Sequence, residues 1–482
     1  MMALARHGVL AAGTMAAFLV FAAMVAVVRR EPAAIVFMLT ALLTIFAAGS
    51  VHLATRNRTA RLDRVSSYAL LVAIWVGLPI IAAIPIAATT PLGPVGAWFE
   101  AVAAFTTTGA AQVHDVADLP RSTLAWLLSL QWLGGLITLV GVVAVLAPAG
   151  IGGLPDRTAR AIEHGSTEST ALDDAVRHIL PIYAGATVVC MLTLYAVGLR
   201  GFDAFGLASA ALSTGGLLPD ADGMSAYGSS AVKFVFMFFM LVGGTSILWH
   251  RMMLTRRFRL AFGQRENIAV LLVCLIVGIL AAAVRFATPE GHQSLPLALE
   301  DGLFSAISLI TTTGVEPHAG AFSGLPISLV TLLIFIGGAT FSTSGGIKMY
   351  RIGVMGLQSL LELNRLIMPH AVRPRRLGRQ TVSLEMMKAI WLCFAIASAV
   401  FVVLTAAVAP AMPSFEAAYV ATLSALTNAG PIYAAGWDGS AAWPEWGALP
   451  AYAQIILALA MILGRLEILM VLGLIHFGFW RR

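Results

Sequence analysis

Charge is what this chain has least of. Only 11% of its 482 residues are Asp, Glu, Lys or Arg, where a soluble globular domain carries about 25%. A deficit that deep over this length excludes an ordinary water-soluble fold, because most of the chain must face lipid or other apolar helices. Cysteine is also scarce. Cys190, Cys274 and Cys393 all lie in apolar runs, which excludes a disulfide or zinc framework and leaves three small buried side chains. No GxxxxGK[ST] phosphate loop is present, since Lys348 follows glycines but precedes Met349. No His-Glu-x-x-His and no Ser/Lys pair stands out either, so neither ATP hydrolysis nor an intramembrane enzyme is indicated. The net charge of +6 reads as cytoplasmic basic loops and not as nucleic-acid binding.

What is present is apolar length. Hydrophobic residues make up 59% of the chain and the mean hydropathy is +0.88. A helix needs about 20 apolar residues to cross the hydrocarbon core. Ten segments are predicted to do so: 9–28, 33–54, 66–88, 122–147, 178–199, 229–253, 267–287, 324–350, 384–409 and 448–479. The first is too long for the core of a cleaved signal and reads as a retained helix.

Arginine orients the spans. Arg56, Arg58, Arg61 and Arg64 share one loop, and Arg157, Arg160 and Arg177 a second. Arg251, Arg256, Arg257, Arg259 and Arg265 fill a third, and Arg365, Arg373, Arg375, Arg376 and Arg379 a fourth, before the terminal Arg481 and Arg482. These loops alternate with poorer ones, so the positive-inside rule places them, and both termini, in the cytoplasm. Arg29 and Arg30, in a short outer turn, vote the other way.

Four apolar stretches are too short to cross: 96–107, 202–213, 297–312 and 413–427. Each ends in small polar residues and glycine, the pattern of a re-entrant half-helix whose following turn lines protein or a water-filled cavity. Aligned on Gly109, Gly215, Gly314 and Gly430, the windows match at several offsets. Two residues before each glycine stand Thr107, Ser213, Thr312 and Asn428, and one before stand Thr108, Thr214, Thr313 and Ala429. Each gap is about 100 residues, room for one span, one half-helix and a second span. The chemistry this pattern suits is ion dehydration. A K⁺ ion leaves water only where oxygens replace its hydration shell, as rings of backbone carbonyls do. Glycine lets successive carbonyls aim at one axis. The C-terminal, partly negative ends of four half-helices would face the same cavity.

The motifs FTTTGA at 105–110, LSTGGL at 212–217, GGATFSTSGGIKMYR at 337–351, ELNRLIMPHAVRPRRLG at 362–378 and LGRLEIL at 463–469 resemble the Trk/Ktr/HKT superfamily of K⁺ transporters. The resemblance runs from about residue 60 to the end and is strongest to the bacterial Trk-type membrane subunit.

It implies an all-α polytopic membrane protein with four helix–pore loop–helix repeats around one pseudo-fourfold pore. They would occupy 61–150, 151–262, 263–380 and 381–482, after an N-terminal helix pair at 1–60. It implies K⁺ uptake across the inner membrane, with K⁺ as the transported metal ion held at the four-loop filter and no organic cofactor. It further implies a homodimer, membrane lipids as surroundings and a cytoplasmic nucleotide-binding regulatory subunit of the RCK/KTN type. Glycine at the first filter position favours K⁺, since plant relatives with Ser there are associated with Na⁺. The fourth filter departs from the pattern, with Ala429 in place of a hydroxyl residue and GPIYAAG where relatives carry more glycine. Ala339, Thr340 and Phe341 likewise stand where relatives have smaller residues.

A gate is expected from Gly337, Gly338, Ser342, Gly345, Gly346, Lys348 and Arg465. Four glycines and four hydroxyl residues in GGATFSTSGG make a poor helix inside an apolar span. Arg465 sits in the last span, where a charge is a functional candidate by default; the alternative is a structural pair with Glu467 or a carbonyl. Lys348 suits gating or the cytoplasmic end of a span equally. Glu100, Asp203, Asp301 and Glu416 begin the half-helices and suit positive helix N-termini or an outer cation-attracting ring. His114, Asp115 and Asp118 read as a solvated outer loop. The competing functions are a Na⁺- or H⁺-coupled symporter, which would show inverted repeats, and the channel-like subunit of an ATP-driven K⁺ pump.

Overall fold

The computed structural model describes residues 2–55, 64–112, 119–148, 171–287, 294–368, 374–435 except 379, 442–474 except 469, and positions 150, 153, 370 and 437. His114, Asp115, Asp118, Arg56, Arg58, Arg61, Arg157, Arg160, Arg373, Arg379, Arg481 and Arg482 lie outside the described residues.

Helices dominate. In chain order they are α1 (Met2–Arg29), α2 (Ala34–Thr55), α3 (Arg64–Thr89), α4 (Pro94–Phe105), α5 (Arg121–Gly141), α6 (Ala171–Ala196), α7 (Gly201–Ser213), α8 (Ser230–Gly244) and α9 (Ile247–Leu254). There follow α10 (Phe258–Ala261), α11 (Arg265–Ala287), α12 (Leu295–Ile310), α13 (Ile327–Ile336), α14 (Met349–Ile367), α15 (Leu384–Val408), α16 (Phe415–Leu426) and α17 (Ala451–Leu466). A two-stranded hairpin, β1 (Arg376–Leu377) and β2 (Gln380–Thr381), precedes α15. Among the described residues, 7 helices are long and apolar enough to cross a membrane, or 8 if the bent pair α8–α9 is one span.

The ten predicted spans are therefore not ten continuous helices. The chain bends by 101° between α8 and α9. The segment predicted to span 324–350 is helical only to Ile336, and the helix resumes at Met349. The last span breaks after Leu466, where Glu467 adopts a left-handed φ of 56°, and helix resumes at Ile468. Each break opens backbone groups at membrane depth, and such groups need partners inside the protein.

A long helix followed by a buried short one recurs four times, as α3–α4, α6–α7, α11–α12 and α15–α16. The short helices are apolar on nearly every face, so each is wrapped by neighbours. Each packs against the helix that follows it, α5, α8, α13 and α17, and against the corresponding helix of the preceding unit. Thus α7 touches α5, α12 touches α8, α16 touches α13, and α4 touches α17, which closes the circuit.

The N-terminal pair α1–α2 packs on α3 and α5 from outside. Its turn is anchored by Glu31, whose carboxylate accepts the backbone N–H of Arg121 at 2.9 Å and of Ser122 at 3.1 Å. Those are free donors at the start of α5.

Candidate functional site

The short helices end together, and the turns after them are buried. Thr106, Thr107, Thr108, Ser213, Thr214, Thr311, Thr312, Thr313, Asn428 and Ala429 are all excluded from solvent, with Thr427 nearly so. Each helix stops by placing one non-glycine residue in the left-handed region: Thr107 (φ 55°), Thr214 (φ 51°), Thr312 (φ 58°) and Asn428 (φ 54°). That conformation is costly for a β-branched residue. The following N–H then reaches back five residues to a helix-end carbonyl: Thr108 to Ala103, Gly215 to Ala210, Thr313 to Ser308 and Ala429 to Ser424.

These two markers revise the sequence alignment in the second turn by one residue. Thr214 is the equivalent of Thr107, Gly215 of Thr108, and Gly216, not Gly215, of Gly109. A side chain on Gly215 would collide with Gln131, whereas one on Gly109 would meet the Gly216 backbone at 2.7 Å. Thr-Gly recurs in the first three windows, so the sequence alone aligns the first glycine of LSTGGL. Only the backbone conformation separates the two.

The four turns touch in chain order. Gly109 meets Gly216; Gly216 faces the Thr313 carbonyl at 3.0 Å; Gly314 faces Pro431 at 3.2 Å and the Ala429 carbonyl carbon at 3.6 Å, taking a β-carbon position at each glycine. The ring closes where Gly430 N–H donates to the Thr108 carbonyl at 2.8 Å and Asn428 Nδ2 to Thr108 Oγ1 at 3.0 Å. The fourth turn, which lacks a hydroxyl at Ala429, is thus tied to the first through Asn428. Struts behind the ring hold its outer exits. Glu100 accepts Gln112 N–H at 2.7 Å, Gln131 Oε1 accepts Leu217 N–H at 3.0 Å, and Ser308 Oγ donates to the Val315 carbonyl at 2.6 Å.

The acidic residues at the short-helix starts do not share one environment. Glu100 is buried and bonded as above, and Glu416 is exposed. Asp301 is partnered by Lys233 at 3.7 Å, Arg285 at 3.5 Å and His318 at 3.1 Å. The hydrogen bond to Asp301 holds the His318 imidazolium above the usual histidine range.

Below the ring lies the glycine-rich segment 337–348, buried as far as Gly345. Its broken backbone is met on one side by the other broken span, while Ser344, Gly346, Ile347 and Lys348 line a cavity with Arg465 and Glu467. Gly244 O accepts Ala339 N–H at 2.9 Å, Gly243 O accepts Thr343 N–H at 3.2 Å, and Phe341 O accepts Ile247 N–H at 2.8 Å. Thr343 Oγ1 donates to Leu212 O at 2.9 Å and Gly243 O at 3.0 Å. The helix break at 244–247 and the break at 337–348 satisfy each other, which is what a dry interior demands. Gly345 N–H donates to Thr312 Oγ1 at 2.6 Å, joining the segment to the third turn. Ser342 Oγ lies 2.7 Å from Ser344 Oγ. Gly337 and Gly346 have φ of 71° and 75° and pack against each other too closely for a side chain.

Arg465 is buried between the segment and the ring. Its Nε donates to the Thr106 carbonyl at 2.7 Å, Nη1 to the Thr343 carbonyl at 2.5 Å, and Nη2 to Thr107 Oγ1. Of the partners considered from sequence, carbonyls are the ones found. Glu467 pairs instead with Arg351 Nη2 at 2.8 Å. Lys348 Nζ donates to the Ser344 carbonyl.

A repeated apolar-Gly-Gly triplet explains the place of Arg465. The helix after each turn carries a matching triplet: Leu133-Gly134-Gly135, Val242-Gly243-Gly244, Ile336-Gly337-Gly338 and Leu463-Gly464-Arg465. Gly135 packs on Ser213, Gly244 on Thr311 and Gly345, after the third triplet, on Thr427. Gly135 and Gly244 let their helices approach the end of the next unit's short helix, whereas Gly338 packs on the Gly244 carbonyl and Ser344 and leaves the contact with Thr427 to Gly345 in the non-helical segment. Arg465 takes the equivalent position in the fourth unit and bonds the Thr106 carbonyl.

A family model described as TrkH, cation transport protein, matches residues 33–268 and 298–476. The chain is 29% identical over 449 residues to the Trk system potassium uptake protein TrkH of Halomonas elongata, covering 91% of each. It is 27% identical over 493 residues to the protein of the same name from Escherichia coli K12, covering 98% of this chain and 97% of that one. The crystal structure of the potassium transporter TrkH from Vibrio parahaemolyticus matches with a TM-score of 0.86 at 25% identity, covering 98% of both chains.

Proposed function

The chain belongs to the TrkH family of cation transport proteins, and on that premise we propose that it takes up K⁺ across the cytoplasmic membrane through a channel-like pore. The filter is the ring of turns: Thr107, Thr108 and Gly109; Thr214, Gly215 and Gly216, with Ser213 below them; Thr312, Thr313 and Gly314; Asn428, Ala429 and Gly430. The gate is Arg465 with Gly337, Gly338, Ser342, Gly345, Gly346 and Lys348. The single observation that carries this reading is the closed circuit of four buried turns, each at the C-terminal end of a short helix.

The mechanism follows from elementary electrostatics. A K⁺ ion gives up its water where ring oxygens replace it, and four helix C-termini aimed at one place add partial negative charge. The glycines keep the ring narrow. Directly below, the Arg465 guanidinium and the Lys348 ammonium oppose a cation in a passage of low dielectric. Arg465 also bonds the Thr343 carbonyl and so holds the segment in place. Opening then requires those bonds to the segment to be exchanged for others. The protein works as a homodimer with both termini in the cytoplasm, and its basic cytoplasmic face receives a nucleotide-binding regulatory subunit.

Flux of labelled K⁺ and Na⁺ into liposomes containing the purified protein tests this. K⁺ uptake that unlabelled Na⁺ fails to compete away is the expected result. Equal uptake of both ions would remove the filter assignment.

A further inference from the structure

One half-hidden carboxylate outside the ring and the gate holds both ends of the glycine-rich segment. Glu266, in the first turn of α11, accepts three hydrogen bonds on the single oxygen Oε1: Thr340 N–H at 2.6 Å, Thr340 Oγ1 at 2.8 Å and Tyr350 N–H at 3.2 Å. Thr340 lies near the start of the segment and Tyr350 just beyond its end, so one oxygen spans the loop that Arg465 touches in the middle at Thr343. Its neighbour Asn267 accepts Ser246 N–H at 2.9 Å, which fixes the break between α8 and α9 on which the segment rests.

The same turn of α11 touches the basic cytoplasmic region. The side chain of Arg265 packs on Gly378, where a β-carbon would lie 3.0 Å from Arg265 Cδ. Gly378 is in the β1–β2 hairpin, whose positive φ of 63° suits glycine. The hairpin is pinned by Val382 N–H to Arg375 O at 2.9 Å. Val382 and Tyr350 belong to a small apolar cluster of their own, with Val354, Met387 and Ile390. A displacement of the hairpin therefore meets the segment at two places, through Arg265 and Glu266 and through Tyr350.

We infer that Glu266 is the positioning residue that holds the gate segment shut and passes movement of the cytoplasmic hairpin to it. The inference rests on the gate reading above. Among the described residues, no other carboxylate bonds both flanks of the segment. A carboxylate oxygen accepting several N–H and O–H donors is a strong anchor, and removing it leaves Thr340 and Tyr350 donors unpaired at the segment's two ends.

The test uses the full chain in liposomes, with Glu266→Ala, Glu266→Gln and Arg465→Ala, reading K⁺ flux, K⁺/Na⁺ preference and thermal stability. Glu266→Ala is expected to raise K⁺ flux about five-fold or more, the lower end of ordinary coupling between sites, with ion preference kept. Glu266→Gln keeps a carbonyl oxygen at the same place and is expected to behave nearly as the native protein. Reversing the charge of Arg375 and Arg376 should change flux in the native background and not in Glu266→Ala. Flux in Glu266→Ala equal to the native value, or lost together with stability in both Glu266 variants, overturns the inference. Arg465→Ala separates the two readings: a rise there with none in Glu266→Ala sinks the Glu266 role alone. No rise in either sinks the gate as well.

Discussion

Gly109 and Gly216 lie backbone to backbone, so at the scale of single residues the second turn provides the sharpest discrimination. Gly216→Ser puts atoms into the ring, and K⁺ preference over Na⁺ is expected to fall, as it is for Gly109→Ser. Gly215→Ser points elsewhere, into Gln131. It is expected to cost stability of about 1–3 kcal/mol, the usual price of overpacking, with a smaller effect on preference. Competition flux and thermal unfolding measured on all three variants check this, and equal loss of preference at 215 and 216 would contradict the register. Sequence made the four windows visible but not this shift. Two adjacent glycines are chemically identical until the backbone assigns a left-handed φ to the threonine before them.

Between elements, the consequential feature is the pairing of two interruptions. The bend between α8 and α9 exposes carbonyls at Gly243 and Gly244, and the segment after α13 supplies the N–H groups that fill them. Either break alone would leave unpaired backbone in a membrane interior, at several kcal/mol for each group. Shortening the segment within 339–343, or Arg465→Ala, is expected to raise K⁺ flux while leaving ion preference in place. Flux and preference measured on the same preparation check it; loss of preference without a gain in flux would make these residues supports of the filter. The glycine content of the segment announced a break in the chain. It did not announce that the donors would be met by another helix, because hydrogen bonds between residues about 100 apart in sequence leave no local pattern.

Over the whole molecule, the circuit of α4, α7, α12 and α16 against α5, α8, α13 and α17 builds one central site from four distant stretches. The N-terminal pair stays outside it, held by Glu31 at the start of α5. Arg375 and Arg376 are exposed at the start of the hairpin. Reversing both charges is expected to abolish co-purification with a nucleotide-binding regulatory subunit, read by pull-down at moderate salt. Retained binding would show that docking does not depend on those charges. Anionic lipid is the competing ligand for such arginines, and binding to vesicles with and without phosphatidylglycerol distinguishes the two.

The sequence by itself determined the class of the protein, seven of the ten predicted long apolar helices, the four short ones and the residue types at their ends. Those follow from local quantities: apolar length, charge scarcity and the recurrence of hydroxyl residues before glycine. Tertiary structure decided the rest. It set the one-residue register at Gly216, gave Arg465 the Thr106 and Thr343 carbonyls in place of Glu467, and recruited Glu266 to the segment. Each of these depends on which distant backbone groups are left without a partner when the helices pack, and a linear pattern does not record that.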